Sequence, residues 1–212
     1  MTKPLRYLAL PTALIAALAL ASCGDGDMSG MNGMTTGAPT ASGAPATGAP
    51  AAGAKNQADV TFATDMIPHH AQAVEMAGMA PKLAVDAKVK ALAAKIKDAQ
   101  APEIATMSGW LTGWGAPVPA TDGGHDMSGM GGHSGGMMSA QEMTDLGKAT
   151  GAAFDRRWLE LMAKHHEGAV ATAKTVIAKG VNPDVKKLAQ SIVDSQSAEI
   201  TEIKAILSGI PG

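Results

Sequence analysis

Met66-Ile67-Pro68-His69-His70 recurs as Met162-Ala163-Lys164-His165-His166, and the displacement of 96 positions holds without a gap from residues 66–113 to residues 162–209. It pairs Ala73 with Ala169, Val89 with Val185, Leu92 with Leu188, Ile96 with Ile192, Gln100 with Gln196, Glu103 with Glu199 and Gly113 with Gly209. A register kept over that length marks a duplicated structural unit and is far more specific than a short motif. Each copy carries a Met-x-x-His-His cluster near its start, so the chemistry the copies share is expected there.

Around the clusters the apolar residues fall at helical spacing, as in Val89, Leu92, Ala93, Ile96, Ile104, Met107 and Leu111. The first helix is expected over about Asp59–Ala80, kinked or broken at Pro68 and stopped by Pro81. The second begins near Asp86, is bent by Pro102 and ends in the Gly113–Gly115 region. Ser139-Ala140-Gln141-Glu142 is a capping box that opens a short helix to Lys148. A third long helix follows Gly151 and runs to Lys179, with Gly180 as its cap. Asn182-Pro183 supplies the N-cap and first turn of the fourth, which ends near Ser208-Gly209. Two helix pairs with short internal turns give an all-α four-helix bundle. Repeat one spans 59–115, a Met/His/Gly-rich linker 116–138, and repeat two 139–209.

Hydrophobic residues make up 46% of the 212 positions but aromatics only 3%, so the core must be Ala, Leu, Ile, Val and Met, several of them strong helix formers. A net charge of -2 offers no basic face for nucleic acid. Lys3 and Arg6 precede an apolar run from Tyr7 to Ala21, short for a membrane span and suited to a signal peptide over residues 1–22. The run ends in Leu20-Ala21-Ser22-Cys23, which resembles the bacterial lipobox. That likeness implies lipid on Cys23, the only cysteine; a plain secretory signal with an incidental cysteine is the alternative. Two acyl chains would anchor the protein stably to a membrane. Localisation is then extracytoplasmic, on the outer face of the cytoplasmic membrane or in the periplasm. Residues 23–58 are rich in Gly, Ala and Pro and have little to bury, which marks a disordered tether with a mean span of about 30 Å.

On a helix Met66, His69, His70 and Ala73 share one face, as do Met162, His165, His166 and Ala169. Thioether favours Cu(I), imidazole accepts either copper oxidation state, and thioether does not titrate. Met66, His69, His70, Met162, His165 and His166 are therefore the candidate metal ligands. Glu103 and Glu199, with Gln100 and Gln196 beside them, could accept hydrogen bonds from ligating imidazoles. Met28, Met31 and Met34 in the tether, and His125, Met127, Met130, His133, Met137 and Met138 in the linker, could form weak exchangeable sites. Set against this, methionine at helical spacing is usually core filler, the reading favoured for Met107 and Met143, with Met76 and Met79 left open. Di-iron carboxylate bundles use Glu-x-x-His; here Met66 and Met162 stand where that pattern wants Glu, a set better suited to copper than to iron and oxygen.

Taken together, the paired Met-x-x-His-His motifs, Gln100-Glu103-Ile104 and Gln196-Glu199-Ile200, and Phe154-Asp155 with Trp158-Leu159 resemble the bacterial family called domain of unknown function 305, over about Asp59 to Leu207. The resemblance implies a ferritin-like bundle, export from the cytoplasm, and in some members copper binding and tolerance through Met and His. The expectation is an anchored copper-sequestering or copper-transferring protein rather than an enzyme, with copper donor or acceptor proteins as partners. A ferritin-like redox enzyme and a metal-free structural or partner-binding bundle are the alternatives.

Overall fold

Asn56 and Asp59 start the first helix by reciprocal capping. The Asn56 side chain accepts from the Ala58 and Asp59 amides, and the Asp59 carboxylate accepts from the Asn56 amide at 2.9 Å. From there the computed structural model, which describes residues 53–121 and 135–210, is helical. Its elements are α1 (Gln57–Leu83), α2 (Ala87–Gly113), α3 (Ala140–Lys148), α4 (Gly151–Lys179) and α5 (Pro183–Ser208), with no strand among the described residues. Asp86, Ser139 and Asn182 cap α2, α3 and α5 through their side chains. None of the described helices is long and apolar enough to cross a membrane.

One expectation about proline fails, the stop at Pro81. Helix α1 continues through Pro68 without a break and through Pro81 to Leu83, and α2 continues through Pro102. Each proline removes one ladder bond, and Pro81 does so only in the last turn. Burial of the apolar faces on both sides of Pro68 keeps the remaining turns in place. Gly180 caps α4 as expected, but with φ of -71°, outside the left-handed region. Its small size is what matters, since an added Cβ would run into the Asp59 carboxylate and lie 2.8 Å from the Val176 carbonyl.

Within each repeat the long helices pack as pairs, α1 on α2 and α4 on α5, and the repeats join through α1 against α4, with α3 touching both. Helices α1 and α4 run antiparallel. Trp158, one turn-pair before His165, donates its indole N–H to the carbonyl of Met76, as far beyond His69, at 3.0 Å. A reciprocal polar exchange ties the repeats at both ends. Asp59 of repeat one accepts from Val181 at 3.1 Å and Asn182 at 3.3 Å, ahead of α5. Asp155 of repeat two accepts from Val85 at 3.2 Å and Asp86 at 2.8 Å, ahead of α2. Asp59 and Asp155 are themselves displaced by 96, so the duplication reaches upstream of the matched motifs and produces a pseudo-two-fold bundle.

The core is divided. One apolar cluster holds Phe62, Met66, Ile67, Met107, Leu111, Ala169, Val176 and Ile192. The other holds Ala73, Met76, Leu92, Ile96, Met138, Met143, Trp158, Met162 and Ile203. Between them lie the buried polar residues His69, His70, Gln72, Gln100, His165, His166, Gln196 and Glu199. A buried polar layer at mid-height is costly unless its atoms are paired, and that asks what the layer is for.

Candidate metal centre

His69 and His165 come from α1 and α4 and meet on the pseudo-two-fold. Their ring centroids are 3.7 Å apart at an interplanar angle of 39°. Both rings are buried, and neither nitrogen of either ring has a hydrogen-bond partner of good geometry. Burial pushes the His69 imidazole down to about 3, helped by His70 and then His166, with the Gly135 backbone opposing. Burial likewise holds His165 well below the usual imidazole range, with His69, His166 and His70 adding to it. Two neutral imidazoles therefore face each other across the repeats, each with a lone pair and no acid competing for it at neutral pH.

The second histidine of each motif is held differently. His70 Nε2 lies 2.7 Å from Glu103 Oε2, and His166 Nε2 lies 2.8 Å from Glu199 Oε2. An ionised carboxylate can only accept, so each ring donates from Nε2, and a neutral ring then keeps its lone pair on Nδ1. Both Nδ1 atoms are buried and without partners. A carboxylate behind an imidazole whose other nitrogen is free is the arrangement found behind metal-ligating histidines. The acceptor role expected of Glu103 and Glu199 is thus observed, on His70 and His166. Gln100 and Gln196 are buried beside them, and Gln100 is unpaired at both amide atoms. The two pairs are not identical: Glu103 is more exposed than Glu199, and Lys95 approaches Glu199 at 3.9 Å whereas its counterpart position in repeat two is Ser191.

Met66 and Met162 each lie one turn before the histidine of the facing pair and are fully buried. Because α1 and α4 are antiparallel, they flank the pair from opposite apolar clusters. Among the described residues no three His, Cys, Asp or Glu side chains are grouped to hold a metal ion, so a centre here would draw on thioether sulfur as well as imidazole nitrogen. The donor set fits a soft or borderline ion such as copper and not a carboxylate-bound one.

Cys23, Met28, Met31, Met34, His125, Met127, Met130 and His133 lie outside the described residues. Met137 is half-buried, and Met138, expected in a weak exchangeable site, is buried in the core instead. The Gln72 amide binds the Met138 backbone on both sides, which is why this end of the linker is fixed. Met107 and Met143 pack in the apolar clusters, as does Met76, with Met79 against its edge. Gln72 and Gly168 were not singled out by the sequence reading. The signal available was their mismatch, Gln opposite Gly at equivalent positions three residues after His69 and His165.

The sequence pattern of one family, domain of unknown function (DUF305), matches residues 59–207. Among solved structures, a DUF305 protein from Streptomyces coelicolor, thought to be secreted, is 36% identical, with 72% of this chain and 93% of that chain covered and a TM-score of 0.64. CopM in its Cu(II)-bound form is 35% identical over 71% of this chain and 96% of its own, with a TM-score of 0.61. In its Cu(I)-bound form the figures are 32%, 73%, 98% and 0.60. CopM has also been solved with silver and in the apo form. No curated protein matches this chain.

Proposed function

The chain belongs to the DUF305 family, and from that premise we propose that it binds copper at the polar layer of its bundle and sequesters it or passes it on outside the cytoplasm. The observation that carries this is the contact of His69 with His165 across the two repeats, with no well-formed hydrogen bond to any of their buried ring nitrogens. A purely structural core has no reason to keep such atoms, since each buried polar group without a partner costs about 1–3 kcal/mol. A metal ion bound by imidazole would use them. Met66 and Met162 would supply sulfur to the His69–His165 pair, and His70 and His166, oriented by Glu103 and Glu199, would offer further nitrogen outside that one coordination set. Such a mixed set suits Cu(I) and tolerates Cu(II), and its sulfur ligands persist at acidic pH.

Similarity to CopM, known with Cu(I), Cu(II) and silver, supports the metal class. Similarity to the Streptomyces protein supports a place outside the cytoplasm. Within the same reading, Cys23 carries the lipid anchor, the Met and His residues of tether and linker act as weak capture sites, and copper donor or acceptor proteins are the partners. A di-iron type of catalysis is no part of this reading, because Met66 and Met162 stand where such a centre wants Glu. Anaerobic titration of metal-free protein with Cu(I) against a competing chelator tests the proposal. Stoichiometric binding that is lost in the His69→Leu/His165→Leu double variant is the expected result; absence of binding by the unmodified protein refutes it.

A further inference from the structure

We propose that Gln72 and Gly168 fix the segment Gly135–Ser139 as a strap over the His69–His165 pair, and so govern how readily a soft metal ion reaches it. The role given to the ion rests on the function proposed above; the strap itself does not.

Positions 72 and 168 are equivalent in the duplication, three residues after His69 and His165. They therefore lie on either side of the facing imidazoles, one on α1 and one on α4. A single segment crossing a two-fold site must break its symmetry, and here the break is written in the two residues. Gln72, buried, donates from Nε2 to the Met138 carbonyl at 2.9 Å and accepts from the Met138 amide at 2.7 Å. Gly168 does the reverse by lacking a side chain. A Cβ added there would fall on the Gly135 carbonyl, and rotation of a flexible neighbour cannot relieve a clash with backbone. Gly136 completes the approach: its φ is 90°, and an added Cβ would lie 2.6 Å from the Lys164 carbonyl and 3.0 Å from that of His165. Glutamine at both positions would leave no room for the crossing; glycine at both would leave nothing to hold it.

The strap also borders a cleft. This cleft, of about 440 Å³, runs between α1 and α4, past Thr61, Phe62, Asp65, Thr172 and Val176, and Gly135 and Gly168 form part of its wall. Gly135 backbone lies against the His69 imidazole at this point.

Modification of the metal-free full-length chain with diethyl pyrocarbonate, which acylates neutral imidazole nitrogen, tests the proposal, with the modified residues identified by peptide mass spectrometry. His69 and His165 should react slowly in the unmodified protein and in Gly78→Ala, a control whose added methyl meets nothing within 4 Å. In Gln72→Leu and in Gly168→Ala they should react roughly tenfold faster or more, the factor expected for losing the clamp's two buried hydrogen bonds. Equal rates in all four proteins overturn the proposal. Should either variant lose its helical circular dichroism, hydrogen exchange of the Met138 amide in the unmodified protein decides: slow exchange is required, and exchange at the rate of an open chain overturns it. Failure of the copper reading would show separately, as absence of Cu(I) binding by the unmodified protein.

Discussion

His69→Leu should make the metal-free protein resist acid better, and the size of the effect follows from the burial of the ring. In the unfolded chain His69 titrates near 6.5; in the fold its pKa is about 3. Between those values the unfolded state binds a proton that the folded state refuses, so stability falls as the pH is lowered through 6.5 and is restored as it rises. At pH 5 this linkage costs the unmodified protein about 2 kcal/mol relative to pH 7, at 1.36 kcal/mol per pH unit below 6.5. Leucine removes that term. It also removes two buried nitrogens without partners, a gain of about 1 kcal/mol each, against a packing cost of up to about 1.5 kcal/mol for a change of shape in a tight core. The variant should therefore be equal to or slightly more stable than the parent at pH 7, and ahead by roughly 2 kcal/mol more at pH 5. Urea unfolding followed by circular dichroism at both pH values, with chelator present, reads the difference. An offset between variant and parent that is the same at pH 5 and pH 7 would refute the account of His69 as a neutral ring forced into a dry site.

The reciprocal exchange between repeats should be worth more than any surface ion pair. Asp59→Ala strips the partners from the Asn56, Val181 and Asn182 amides and should cost roughly 3 kcal/mol, and Asp155→Ala, which frees Val85 and Asp86, roughly 2 kcal/mol, both read as lowered thermal midpoints. Glu199→Gln should weaken copper binding about 10- to 100-fold in a chelator competition while leaving stoichiometry intact, because it removes the carboxylate that orients His166. Met162→Leu conserves volume and should change metal-free stability by less than about 1.5 kcal/mol, yet loosen Cu(I) more than Cu(II) in the same competition.

The architecture was legible because duplication is a long-range signal. A register of 96 positions places two helix pairs, and capping residues such as Ser139 with Glu142 and Asn182 with Pro183 mark where elements begin. The facing histidines were legible for the same reason, as was Glu behind His. The stop expected at Pro81 does not occur because the ladder bond that this proline removes falls in the last turn, where little helix is left to break. The buried place of Met138 was not legible, because a Gly-rich stretch without periodicity gives no sign of the glutamine on another helix that holds it there. The exchange between Asp59 and Asp155 depends on antiparallel packing of α1 and α4, and no pattern along one helix reports which neighbour it will meet.

X-ray absorption at the copper edge of the Cu(I)-loaded protein tests the central claim most directly. Our account predicts both imidazole nitrogen and thioether sulfur around the metal, with the imidazole signal lost or greatly reduced in the His69→Leu/His165→Leu variant. Copper surrounded by oxygen alone, or an unchanged spectrum in that variant, would contradict it.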